Sequence, residues 1–401
     1  MAERVFLHIG APKSGTTFLQ TVMWHNRKTL RGLGLLYPGR QRMDHFHATE
    51  VVRDLIPADA PTPTAWDRLC AEIDAWPGTA LISHEFFGAA TAEQAERALA
   101  RLATAEVHLI LTARDYGRQF PAVWQEALKM RASMQLDDFI DDVLAGEVTG
   151  PWGWSTQDVP AILERWGATL DPRCVHVVTV PRPGAPRDLL WRRWCQALAI
   201  PPKSCDLDVA RDNESLGAAQ AAFLLRVKPY IPAELHPNPE LHRWVRGHLG
   251  HEVLVPQNGA RIGLRSRHLD ELVEIALDEV KILEKRGYDV AGDLDELVPS
   301  RGETDQPNPG DVADSELVDV AARAVATLTA QVRALSQERD EWRRKARAAG
   351  RAKPRPKAVH HATPSSEAGS KAASLRWRLP RRLPRRLARR LRRRLHRRSA
   401  R

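Results

Sequence analysis

The sequence predicts an α/β protein with a central parallel sheet, helices on both faces, and a helical C-terminal extension. Three observations lead there. Short β-type runs alternate with stretches of helical periodicity over the first 180 residues. Those runs are continuously apolar, as strands buried on both faces are, and do not alternate apolar with polar residues. The first run also leads directly into a glycine-bearing turn and the start of a helix.

The expected strands are Val5 to Ile9, Ala80 to Ser83, Val107 to Ala113 and Val175 to Val180. Phe18, Leu19, Val22 and Met23 share one face of a helix starting near Gly15. Residues 181–300 read as mainly helical, with segments at Asp188 to Leu198, Ser215 to Val227 and His268 to Lys285, so 1–300 is taken as one α/β domain. Residues 301–313 read as a polar linker with Pro and Gly. In 314–346, Val318, Ala321, Val325, Leu328, Val332 and Leu335 alternate spacings of three and four, a heptad seam. It suits a short coiled coil and a homo-oligomer, or equally a lone helix docked on the body. Residues 347–374, rich in Ala, Pro, Ser and Lys, are expected to be disordered.

In 375–401 a leucine recurs every fourth residue among arginines. Pro380 and Pro384 interrupt any helix there, but from Arg385 onward Leu387, Leu391 and Leu395 fall within one stripe. The formal net charge of +10 conceals the division this creates. Residues 351–401 hold 19 Lys or Arg against the single acid Glu367, which leaves 41 basic and 49 acidic residues for the rest of the chain. An acidic body with a basic tail points to an anionic partner for the tail. The interleaved leucines favour an anionic membrane surface; nucleic acid is the competitor.

No apolar run approaches the roughly 20 residues of a membrane span; the longest without charge, Ser215 to Leu225, covers 11. The run Val5 to Ile9 is too short for a secretory core. The expected location is cytoplasmic, peripheral on the inner face of the membrane through the tail. Cys70, Cys174, Cys195 and Cys205 show no CxxC spacing, so free thiols are expected, with neither a disulfide framework nor a zinc site.

The residues richest in chemistry are Gly10-Ala-Pro12-Lys13-Ser14-Gly15-Thr16-Thr17. Between a strand and a helix, free N–H groups and the helix dipole favour an anion. Glycine admits close backbone approach, Lys13 adds a point charge, and the threonines add hydroxyl donors. This is a phosphate cradle but not a Walker A loop, which needs Lys directly after the second Gly. A P-loop kinase or nucleoside triphosphatase is therefore a lesser alternative.

The string Ile9 to Leu19, with KSGTT after a strand, resembles the 5′-phosphosulfate loop of sulfotransferases that use 3′-phosphoadenosine 5′-phosphosulfate (PAPS). The resemblance extends more weakly over residues 4–298. It implies a P-loop-like three-layer sandwich and sulfuryl transfer to a hydroxyl or amine. It also implies that Lys13 and the loop N–H groups stabilise charge on the leaving phosphate. Arg114, after the third expected strand, matches the family's 3′-phosphate ligand. The serine that assists it eight positions on is Ala122 here, so Arg118 or Gln119 could take its place. The base is expected after the second strand, at Glu85 or, as other branches of the family have it, His84. Carbohydrate, glycolipid and small metabolite all remain open as acceptors. His45 and His47 could line that pocket, and Trp124, Trp152, Trp154 and Trp166 serve either as stacking surfaces or as core. No metal is required. A reading from another class keeps the nucleotide fold as a non-catalytic scaffold, carried by its tail to a membrane or nucleic acid.

Overall fold

The computed structural model of the chain describes residues 1–56, 64–209 and 215–351. The basic tail and all but the first residues of the stretch expected to be disordered lie outside them. Six strands form one sheet: β1 (Arg4–His8), β2 (Leu35–Leu36), β3 (Thr79–Ser83), β4 (Glu106–Ala113), β5 (Val175–Thr179) and β6 (Asp289–Ala291). Their order is β2-β3-β1-β4-β5-β6 and every pairing is parallel. The four strands read from the sequence are β1, β3, β4 and β5. The two missed are the edge strands. Two and three residues long, β2 and β6 are too short to show a period.

Alternation along each strand divides the core. Val5, Leu7, Ala80, Ile82, Leu109, Leu111, Val175 and Val177 face helices Ala65–Asp74, Ala92–Leu102 and Val159–Gly167 and the last turns of Ser266–Arg286. Phe6, Leu81, Ile110 and Val178 face helix α1 (Thr16–His25) and helix Leu189–Ala197 on the other side. The result is the three-layer arrangement, with successive side chains along each strand serving opposite layers.

A second apolar core lies beside the sheet. Helix α2 (Tyr116–Lys129) packs there with Ala218–Val227, the π-helical segment Leu241–Leu254 and the first half of Ser266–Arg286. Helix α3 (Asp314–Arg351) joins it through Val320 and Ala324. Residues 301–313, read as a linker, hold to this region: Gly263 N donates to Pro307 O at 3.0 Å, Asn308 Nδ2 to Asp137 Oδ1 at 3.1 Å, and Arg265 pairs with Asp311 at 2.6 Å.

All four cysteines are free thiols. Among the described residues no helix is long and apolar enough to cross a membrane. After β1 the chain builds β2 and β3 on one side, then crosses to build β4, β5 and β6 on the other. This reversal opens a crevice at the carboxyl ends of the strands that flank β1, where open α/β sheets bind ligands.

Candidate active site

The turn from β1 to α1 has the backbone an anion cradle needs. Gly10, Lys13 and Gly15 have φ of 138°, 64° and 84°. The left-handed region costs a residue such as lysine roughly 1–2 kcal/mol, so Lys13 is held there by its surroundings. Gly15 is favoured by its φ, and a Cβ there would also have to push aside the tip of Leu190, whose Cδ2 would lie 2.5 Å away. Helix α1 has no side-chain cap, so its first N–H groups remain for a ligand.

Under the loop runs a buried chain of hydroxyls and one imidazole. Ser83 Oγ meets His8 Nδ1 at 2.7 Å, and His8 Nε2 meets Thr112 Oγ1 at 3.2 Å. Thr112 donates to Gly10 O at 2.9 Å, so Ser14 divides its single proton between Thr112 Oγ1 and Ala11 O, each at 2.5 Å. The ends of β3, β1 and β4 are thereby tied to the cradle. Burial pushes the His8 pKa down to about 4, so the imidazole is neutral. The Ser14 hydroxyl is thus occupied inside the protein, and Pro12 and Thr16 are buried, whereas Lys13 and Gly15 are partly exposed and Thr17 is open to solvent.

Arg114 stands just beyond β4, and its Nη1 donates to Lys13 O at 3.1 Å, which brings this pair of expected ligands together. Arg118 is turned inward: it pairs with Asp115 and donates to Pro181 O at 3.0 Å, tying the start of α2 to the segment after β5. Gln119 is likewise buried, donating to Gln157 Oε1 at 2.5 Å.

Both base candidates sit at the end of β3. His84 Nδ1 accepts from Phe86 N at 3.2 Å, which caps a short helical turn and places the ring proton on Nε2. Burial lowers its pKa, favouring the neutral ring. Glu85 accepts from Gln20 Nε2 of α1 at 3.0 Å. Burial works against its charge, but the adjacent His84, its own N–H, Gln20 and His8 outweigh that, and its pKa lies below the usual carboxylate value. Glu85 is therefore the ionised acceptor of the two. A Cβ on Gly10 would come within 3.3 Å of Glu85 O, so the loop and Glu85 approach each other through backbone.

Half-buried aromatic rings adjoin this end of β3. Phe46 lies 5.4 Å from His84 and 6.1 Å from Phe86, and Trp152 lies 5.8 Å from Phe86. Trp124 and Trp166 are core residues, and Trp154 packs on Tyr116 at 5.4 Å. His45 is buried and structural, accepting from Ser83 N at 3.0 Å and donating to Pro38 O at 2.9 Å, while His47 pairs with Glu50 at 2.8 Å.

The residue that sequence reasoning missed is Glu126. One of its oxygens lies 3.2 Å from Lys13 Nζ and 2.8 Å from the buried Lys129, and the other 3.0 Å from Arg246 of the π-helical segment. His251 beside them is kept neutral, its pKa lowered to about 4 by burial and then by Lys129 and Arg246. Three cations surround one carboxylate, a surplus of two positive charges at the cradle that an anion can satisfy. No periodicity marks Glu126, because Arg246 comes from 120 residues away.

Among the described residues, one group of metal-ligand type, Glu106, His108 and Cys174, has its ligand atoms within 4.8 Å of one another. It lies toward the amino end of β4, away from the cradle, and Arg4 pairs with Glu106 there at 3.0 Å.

No protein-family model matches the chain, and no curated protein is similar to it in sequence. Among solved structures it is similar to a crystal structure of a sulfotransferase from Alicyclobacillus acidocaldarius, at 13% identity and a TM-score of 0.37, covering 60% of this chain and 95% of that one.

Glu126→Gln leaves Lys129 buried without its counter-charge and is expected to cost about 3–5 kcal/mol at neutral pH. Burial opposes the charge on Glu126, but Lys13, Lys129 and Arg246 hold its pKa well below the usual range. Its stabilisation is thus full above the unfolded value of about 4.3 and is lost as pH falls toward the folded one. Urea denaturation of both proteins across the acid range should show their stabilities converging as pH falls. A constant gap would mean that the charge on Glu126 is not responsible.

Proposed function

We propose that this protein is a sulfotransferase, moving a sulfuryl group from PAPS to a hydroxyl or amine of a carbohydrate, glycolipid or metabolite acceptor. One arrangement carries the reading. A strand-to-helix loop of KSGTT order, positive through Lys13 and its neighbours, lies against an ionised carboxylate at the end of the adjoining strand. The donor fits what the residues offer: backbone N–H groups at α1, a surplus of positive charge, and Arg114 beside the loop. When bound, PAPS supplies a sulfuryl group and a phosphate as leaving group. In-line displacement of this kind has a loose transition state, so positioning and electrostatics provide most of the catalysis.

Each residue then has a task. Lys13, held by Glu126 in this structure, turns its ammonium to the leaving phosphate and stabilises the negative charge that develops there. Arg114 fixes the loop through Lys13 O and reads the 3′-phosphate. Glu85 takes the acceptor's proton, and Gln20 orients it. His84 stays neutral and shapes the turn that carries Glu85. The aromatic rings of Phe46, Phe86 and Trp152 give the acceptor an apolar face to lie against.

The direct test is turnover of labelled PAPS with acceptor mixtures, together with calorimetry of 3′-phosphoadenosine 5′-phosphate against adenosine monophosphate. Preference for the 3′-phosphorylated nucleotide is expected; equal or absent binding would sink the reading. Lys13→Ala should lower turnover by about 10² to 10³ with the fold intact. Arg114→Ala should abolish the preference between the two nucleotides, and equal losses for both would make Arg114 structural.

Glu85→Gln keeps shape and hydrogen bonding but cannot take a proton. A fall in turnover of about 10² to 10⁴ with donor affinity little changed is expected. If His84→Ala is the damaging change and Glu85→Gln is silent, the base is His84.

The tail is proposed to hold the enzyme at an anionic lipid surface, each basic residue near it contributing about 1 kcal/mol. A chain ending at residue 350 should no longer sediment with vesicles containing phosphatidylserine while retaining turnover on a soluble acceptor. Full-length protein that ignores such vesicles, or prefers duplex DNA at equal salt, would refute this.

A further inference from the structure

Helix α3 carries two apolar stripes. One is used within the chain: Val320 and Ala324 are buried in the second core, with Leu328 packed at its margin. The other faces water. Val318, Val325, Val332, Leu335 and Trp342 are each 63–65% exposed, a row of large apolar side chains on one helix. From Val332 to Ala348 every residue but Ser336 is exposed among the described residues. A lone helix of that length is marginal in water.

The exposed row follows a heptad. With Val318, Val325 and Val332 at a, the d positions are Ala321, Leu328, Leu335 and Trp342. A strict seven-residue repeat drifts around a straight helix and stays a continuous seam only when the helix supercoils about a partner. We propose that α3 pairs with α3 of a second copy of this chain, as a parallel two-stranded coiled coil from about Val325 to Trp342.

Three features select that occupant. Valine at a with leucine at d favours two strands over three or four. Arg339 occupies the next a position, where a two-stranded coil leaves a charged side chain access to water and a larger bundle would bury it. In parallel register each g position faces the e position five residues on in the other helix. Glu338 at g thus meets Arg343 and Gln331 meets Ser336, giving one opposite-charge g–e pair from each side. Among the described residues Glu338 accepts from Trp342 Nε1 at 3.3 Å, and Arg343 lies 3.6 Å from Asp340. Such exposed contacts are worth little and yield readily to a partner.

Sedimentation velocity and light scattering on the full chain at micromolar concentration should give twice the 45.0 kDa chain mass. Val332→Asp with Leu335→Asp should return it to a single chain with the near-ultraviolet circular dichroism of the body unchanged. Glu338→Arg should weaken the dimer several-fold, and Arg343→Glu added to it should restore the affinity, a rescue that a misfolded variant would not show. Arg339→Cys should link two chains on oxidation while the wild type does not, since only parallel helices bring the two positions together. A monomeric wild type, a dimer that survives the double aspartate variant, or a dimer that Arg339→Cys fails to link would each overturn the proposal.

Discussion

The carboxylate of Glu126 is the point on which the cradle depends. Taking a charge out of water is expensive, and here Glu126 and Lys129 are both nearly removed from solvent. They are tolerated because each supplies what the other lacks, and because Lys13 and Arg246 bring two more donors to the same oxygens. These residues come from three parts of the chain: the loop after β1, helix α2 and the π-helical segment. The cluster therefore joins the sheet to the second core and holds the loop lysine in place. Among the described residues it sets three cations against one carboxylate beside the β1–α1 loop.

Helix α2 is the mechanical link. Its first turn is fixed by Asp115, which accepts from Arg118 N at 3.0 Å and pairs with the Arg118 guanidinium, and that side chain reaches the carbonyls that follow β5. Its last turn carries Glu126 and Lys129. Between them Tyr116, Phe120, Val123, Trp124 and Ala127 bury its apolar face in the second core. Arg114, just before the N-cap of α2, and Glu126 in its last turn thus approach the Lys13 loop from the two ends of this helix. Rigid support of this kind is what a site needs when its chemistry is mainly positioning.

Protonation at the site follows from local bonding. His8 lies inside a chain of hydroxyls and His45 between a backbone donor and a carbonyl, and burial lowers both pKa values to about 4. Both rings are therefore neutral at neutral pH. His84 spends Nδ1 on Phe86 N, whereas Glu85 Oε2 accepts from the Gln20 amide. Two adjacent residues with the same apparent qualification in sequence thus differ in charge and in bonding, a neutral capped ring beside a carboxylate.

Much of the framework was legible in the order of residues, for reasons of local physics. The runs that became β1, β3, β4 and β5 are apolar throughout because both faces of the sheet are covered, and a strand followed by glycine, lysine and glycine marks a helix-start cradle wherever it occurs. The heptad of α3 was equally plain. Its division into a docked stripe and an exposed one was not, since Val320 and Ala324 are selected by the second core and not by the helix's own period. Nor could order alone separate Arg118, spent on carbonyls, from Arg114 beside the loop, or find Glu126, whose role exists only because Lys13 and Arg246 converge on it. Periodicity and turn chemistry are properties of neighbouring residues and determine elements. Charge compensation is a property of distance in space, and that was decided only when the sheet, α2 and the π-helical segment came together.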